Sequence, residues 1–203
     1  PANDDPCGAV ALTVNTASCV NTSGTNVSAT GTAGPPAPGC ASYTGADVWY
    51  TFVAPAGGAV TIETSAGGLT DSGIALYSAT ACGGTFTLIE CDDDDGAGFM
   101  SAISRTGLTA GQTYYVRVWG YGGGTGTFSI CVGTPPSNDD PCGAINLSLG
   151  ASCTLSAYSN VMASASAGIP APGCGGYSNG DVWFKFTAPS TGLVTLRTSS
   201  GTL

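Results

Sequence analysis

Seven residues, Asn3-Asp4-Asp5-Pro6-Cys7-Gly8-Ala9, return unchanged as Asn138-Asp139-Asp140-Pro141-Cys142-Gly143-Ala144. A heptad carrying two carboxylates, a proline and a cysteine, repeated intact, requires a fold that can be built more than once in the chain. Downstream positions keep step with it. Cys19 recurs as Cys153, an offset of 134 (153 − 19), and Cys40 as Cys174 and Asp47 as Asp181 keep the same offset. Pro36-Ala37-Pro38-Gly39-Cys40 returns as Pro170-Ala171-Pro172-Gly173-Cys174, and Asp47-Val48-Trp49-Tyr50-Thr51-Phe52 as Asp181-Val182-Trp183-Phe184-Lys185-Phe186. Such a period is too long for a solenoid unit and suits a tandem domain. Module one is expected over residues 3–134. A proline-rich linker spans 135–137 and continues from Gly133-Thr134. Residues 138–203 hold the N-terminal half of a second module, which further chain or another subunit would have to complete.

No stretch shows helical periodicity, whereas short alternating runs recur between turn residues, and 32 glycines supply the turns. Strands are expected over 9–14, 19–30, 47–53, 59–64, 72–78, 86–91, 99–105, 113–119 and 125–132. In the third, Val48, Tyr50 and Phe52 share the core face. The expected fold class is all-β: tandem jelly-roll-like β-sandwich modules, one complete and one truncated.

Lys+Arg number 4 against 13 Asp+Glu, a formal charge of −9. This excludes a phosphate-binding basic face, so no nucleic-acid partner is expected, nor docking on anionic membranes. Nor is any run long and apolar enough for a membrane span, so no membrane insertion is expected. The chain has no histidine, which removes Ser-His-Asp and Cys-His catalysis, and no acid pair stands out for glycoside hydrolysis. The protein is read as a non-enzyme.

Nine cysteines without C-x2-C zinc pairs or histidine point to disulfides in an oxidising compartment. Module one holds six. Cys82 and Cys91 flank an expected hairpin and are paired in this reading, with Cys7, Cys19, Cys40 and Cys131 pairing among themselves.

With so few basic residues, the acids call for another counter-charge. Hard oxygen ligands suit Ca²⁺. Asn3, Asp4 and Asp5 with Asp47, and their copies Asn138, Asp139 and Asp140 with Asp181, are expected to bind a structural Ca²⁺ that ties the opening segment to the strand beginning at Asp47. In the run Asp92–Asp95, Asp93 and Asp95 are further metal candidates. Tyr115, Arg117 and Trp119 share the outer face of one strand, and with Tyr121 are candidates for a sugar-stacking platform; the competing reading is ordinary cross-strand packing.

The heptad and Asp47–Phe52 resemble the bacterial pre-peptidase C-terminal (PPC-like) domains. Ser72-Gly73-Ile74-Ala75-Leu76-Tyr77-Ser78, Cys82-Gly83-Gly84 and Gly111-Gln112-Thr113-Tyr114-Tyr115-Val116-Arg117-Val118 strengthen the resemblance. It implies a calcium-binding jelly roll in a secreted or cell-surface bacterial protein, with Asn3, Asp4 and Asp47, and Asn138, Asp139 and Asp181, as ligands. The six-cysteine pattern is similar to a disulfide-rich branch found in repetitive surface proteins. The expected function is a structural repeat of a fibre, stalk or adhesin, with neighbouring copies as partners in tandem or as a homopolymer. The alternative is a carbohydrate- or protein-binding accessory module of a secreted enzyme.

Overall fold

The structure, a computed structural model, describes residues 1–199 and 201 apart from 167, 175–176 and 178–179. It divides into two units, Pro1–Thr134 and Pro135–Leu203. Among the described residues no helix is long and apolar enough to cross a membrane.

Unit one contains ten strands: β1 (Val10–Ala11), β2 (Val14–Thr16), β3 (Thr22–Thr25), β4 (Val48–Val53), β5 (Val60–Ala66), β6 (Ser72–Ser78), β7 (Thr87–Asp92), β8 (Ala102–Arg105), β9 (Thr113–Gly120) and β10 (Thr127–Thr134). They form two mixed five-stranded sheets. The first runs β1-β4-β9-β6-β7; the second runs β2-β10-β5-β8, with β3 also on β10. The β-sandwich expected from the alternating runs is therefore present. One expected strand, residues 9–14, is split between the two sheets. Leu12 turns inward between them, donates its N–H to the Thr51 carbonyl at 2.7 Å and is buried, which forces the chain across the sandwich.

Period-two alternation fills the interior. Val48, Tyr50 and Phe52 of β4, Ile74 and Leu76 of β6, Tyr114, Val116 and Val118 of β9, and Ile130 and Val132 of β10 meet between the sheets. The first sheet is also buried on its other face. There Trp49, Ala75, Tyr77, Tyr115 and Trp119 form a second apolar layer with Ala41 and Phe86. Ala41 belongs to the irregular stretch between β3 and β4, and Phe86 to the turn between β6 and β7. These segments act as a lid on the sheet. The Trp119 indole donates to the Ala41 carbonyl at 2.9 Å, and the Tyr77 hydroxyl to the Pro36 carbonyl at 2.8 Å.

Three disulfides join Cys7 to Cys82, Cys19 to Cys131 and Cys40 to Cys91. The expected Cys82–Cys91 pair is not formed, and only Cys19–Cys131 falls within the remaining set of four. The hairpin is β6–β7, with 79–86 as its turn, so Cys82 lies at the turn and Cys91 near the far end of β7. An extended strand advances about 3.3 Å per residue, which keeps the two sulfurs apart. Cys82 instead meets the heptad, and Cys91 meets the lid at Cys40.

Unit two contains a short pair, β11 (Ile145–Asn146) parallel to β12 (Phe184–Lys185). This repeats the β1–β4 pairing of unit one.

Gly73 of β6 lies directly under the lid. A Cβ there would stand 2.3 Å from the Trp119 ring and 2.5 Å from the Ala41 Cβ. Gly73→Ala should therefore lose about 1–3 kcal/mol in urea unfolding, with a loss of near-UV tryptophan ellipticity. An unchanged midpoint would mean that the lid does not pack as described.

Candidate functional site

The heptad folds as a clasp on β4. Asn3 takes the place of a strand residue: its carbonyl accepts the Trp49 N–H at 2.8 Å, and its side-chain amide donates to the Trp49 carbonyl at 3.1 Å. Asp4 chelates Thr30, accepting its N–H at 2.6 Å and its hydroxyl at 2.7 Å. Asp5 is exposed, and its carbonyl closes the turn with the Gly8 N–H. Gly8 is demanded by that turn, because a Cβ would stand 2.2 Å from the Ala2 carbonyl oxygen.

Asp47 sits at the centre, fully buried. Its Oδ1 accepts the Thr32 N–H (3.0 Å), the Tyr43 hydroxyl (2.7 Å) and Arg117 Nη2 (3.2 Å). Its Oδ2 accepts the Thr32 hydroxyl (2.6 Å) and the Trp49 indole N–H (2.9 Å), and Arg117 Nε lies 3.0 Å away in an ion pair. The same hydroxyl hydrogen is shared with the Asp4 carbonyl, 3.0 Å away. Arg117 is 1 % exposed. It reaches the centre from β9, where it pairs with Trp49. Its guanidinium lies 4.2 Å from the Tyr43 ring centroid and donates to the Tyr43 hydroxyl and to the Thr32 carbonyl.

Burial alone would raise the Asp47 carboxyl. The Arg117 guanidinium and the donors from Thr32 and Tyr43 outweigh it and hold the group below the ordinary carboxylate range. Burial pulls the Arg117 guanidinium down, and the Asp47 carboxylate more than restores it.

This donor set does not fit the expected Ca²⁺. Asp47 Oδ1 accepts three hydrogen bonds and Oδ2 two, with the Arg117 guanidinium paired beside it, and both Asp4 oxygens are engaged by Thr30. The positive charge assigned to calcium is occupied by Arg117. Among the described residues the second copy repeats the clasp without the guanidinium. Asn138 exchanges bonds with Trp183, Asp139 chelates Ser164, and Asp181 accepts from the Ser166 N–H and hydroxyl and from the Tyr177 hydroxyl. Asp140 opens the turn that Gly143 closes.

The platform on β9 is not exposed. Tyr115 and Trp119 are 7 % and 0 % exposed because the lid covers them, and of the proposed rings only Tyr121 reaches solvent. In the acidic run, Asp95 turns back to donate its N–H to Asp92 Oδ2, whereas Asp93 and Asp94 approach Asp71 at the start of β6.

The sequence reading missed Thr30, Thr32 and Tyr43. A signal was present, because they recur as Ser164, Ser166 and Tyr177 at the same offset of 134 (177 − 43).

A family profile described as Galactose binding domain-like (GBD_T9SS_assoc) matches residues 2–129. The chain belongs to this galactose-binding-domain-like family. Among solved structures, the pre-peptidase C-terminal domain of a collagenase from Bacillus anthracis is similar, at 14% identity over 61% of this chain and 93% of that one, with a TM-score of 0.39. PliG of Aeromonas hydrophila, a periplasmic inhibitor of g-type lysozyme, is similar at 15% identity over 61% and 96%, with a TM-score of 0.34. No curated protein matches. Galactose-binding-domain-like membership, the β-sandwich and three disulfides mark an extracellular accessory module.

Arg117→Met leaves Asp47 buried without its cation and should cost about 3–5 kcal/mol at pH 7. The pH dependence follows from the lowered Asp47 pKa. Its contribution is complete above the unfolded carboxylate value of about 3.9 and is lost as pH falls through the lower folded value. The gap between wild type and Arg117→Met should accordingly narrow below about pH 4, read as denaturant midpoints across pH; a constant gap contradicts the assignment.

Proposed function

We propose that this chain is a non-catalytic extracellular repeat of a bacterial fibre, stalk or adhesin-like surface protein. The observation that carries the reading is the same clasp built in both copies. Neighbouring copies, in tandem or in a homopolymer, are the partners this arrangement serves. The absence of histidine from the sequence and the engagement of Asp47 by structural donors support a non-catalytic role.

A second reading, saccharide binding, is favoured by one observation and by the family's description. Asp71 bridges Phe99 on one side, and its carbonyl accepts the Tyr121 N–H on the other. Phe99 and Tyr121, 65% and 47% exposed, are thus backbone neighbours of Asp71. Aromatic side chains with a few polar groups are the usual lining of a small-ligand site.

Negative-stain electron microscopy of the native material should show filaments or stalks, and dispersed single particles alone would defeat the fibre reading. Binding to a galactoside resin that is lost in Phe99→Ala and Tyr121→Ala would favour the second reading; no retention on the resin removes it.

A further inference from the structure

We propose that unit two carries a receptor for an arginine side chain borne on an extended strand of the β9 pattern. The receptor is a cavity of about 250 Å³ whose walls include Pro170, Tyr177, Asp181 and Trp183. Their counterparts in unit one are Pro36, Tyr43, Asp47 and Trp49, all at the same offset of 134 (177 − 43). Three of these enclose Arg117. Its guanidinium lies 4.2 Å from the Tyr43 ring centroid and 5.2 Å from that of Trp49, and its Nε pairs with Asp47 at 3.0 Å. The same aromatic walls and the same carboxylate line the cavity in unit two.

Asp181 is oriented for a cation. Its Oδ1 accepts the Ser166 N–H and the Tyr177 hydroxyl, and its Oδ2 accepts the Ser166 hydroxyl. In unit one the matching oxygens take the same bonds, and Arg117 Nη2 and Nε approach them at 3.2 and 3.0 Å. Burial would raise the Asp181 carboxyl, but the hydroxyls of Ser166 and Tyr177 outweigh it and keep the group ionised at neutral pH. Unit two's own basic side chains, Lys185 and Arg197, are exposed, and among the described residues neither makes an ion pair. A carboxylate between a tyrosine and a tryptophan face selects a guanidinium over an ammonium, because the planar group stacks on the rings while it pairs through two N–H groups.

The backbone beside the cavity can hold the strand that brings the arginine. β12 pairs with β11 on one edge, as β4 pairs with β1. On its other edge β4 carries β9, antiparallel, with Trp49 opposite Arg117 and Tyr50 opposite Val116. Among the described residues β12 has no strand on that edge, and such an edge accepts an extended segment by main-chain pairing. A strand laid on β12 in the same register sets its arginine opposite Trp183, beside Asp181. The residues flanking that arginine then share the face of Phe184. β9 of unit one cannot be this strand, since β4 and β6 hold both its edges. The occupant is a separate segment of the same chemistry, an arginine between two β-branched residues.

The receptor stands whether or not the chain builds fibres. The test uses the whole chain and a fluorescently labelled synthetic peptide of residues 111–121, compared with the same peptide carrying citrulline in place of its arginine. Citrulline keeps the length and planarity of the side chain and removes its charge. Fluorescence anisotropy should show saturable binding of the arginine peptide, and binding at least about tenfold weaker for the citrulline peptide. Asp181→Asn should weaken binding of the arginine peptide by a similar factor. Asp5→Asn, which removes an exposed carboxylate of unit one, should bind it as wild type does. The citrulline comparison leaves the protein unaltered, so misfolding of a variant cannot produce the expected difference. No saturable binding up to about 1 mM peptide, equal affinity for the two peptides, or wild-type affinity in Asp181→Asn overturns the proposal.

Discussion

The buried pair of Asp47 and Arg117 is the constraint on which the rest of module one depends. Bare, either charge would cost several kcal/mol in the interior. The fold answers by bringing donors from three separate places. Thr32 and Tyr43 come from the lid, Trp49 from β4 itself, and Arg117 from β9, its neighbour in the sheet. To satisfy the carboxylate, the lid must lie over the outer face of the first sheet in one particular way. Once it does, Trp119, Tyr77 and Trp49 are covered, and the sheet is buried on both faces. A buried ion pair is a weak source of net stability compared with apolar packing. Its contribution here is to specify where the lid sits, and the stabilising area is the apolar layer that follows.

The disulfides complete the same task from the opposite side. Cys40–Cys91 ties the lid to β7, and Cys7–Cys82 ties the heptad to the β6–β7 turn. Their sequence separations are 51 and 75, and Cys19–Cys131 spans 112. Loops of that size remove about 4 kcal/mol of unfolded-chain entropy each. A chain with so many glycines starts from an unusually disordered unfolded state, and covalent links between distant segments are an effective counter to that.

Much of this was legible in the sequence. The core faces of β4 and β9 follow from strict alternation, and the junction follows from the repeated heptad. What could not be read has a physical reason. Alternation shows that Tyr115, Arg117 and Trp119 share a face, but a lid of glycine, proline and alanine has no periodicity to announce that it covers them. The acids near Asn3 and Asp47 were read as metal ligands because carboxylates without nearby basic residues look unneutralised. The neutralising residue lay 70 positions away. Likewise, Cys82 and Cys91 flank a hairpin strand, and nothing in their spacing says that they occupy opposite ends of it.

The second copy separates what is local in the clasp from what is not. Asn138, Asp139, Ser164, Ser166, Tyr177, Asp181 and Trp183 repeat the bonds of their counterparts, except that the Trp183 indole donates to Ser166 alone, and all lie within 45 positions of one another. Among the described residues no guanidinium reaches Asp181. The hydroxyls of Ser166 and Tyr177, with backbone N–H donors, lower that carboxyl against the opposing effect of burial. The clasp is thus assembled from residues close in sequence, whereas in unit one the guanidinium that lets the carboxylate be buried comes from β9, 70 positions away.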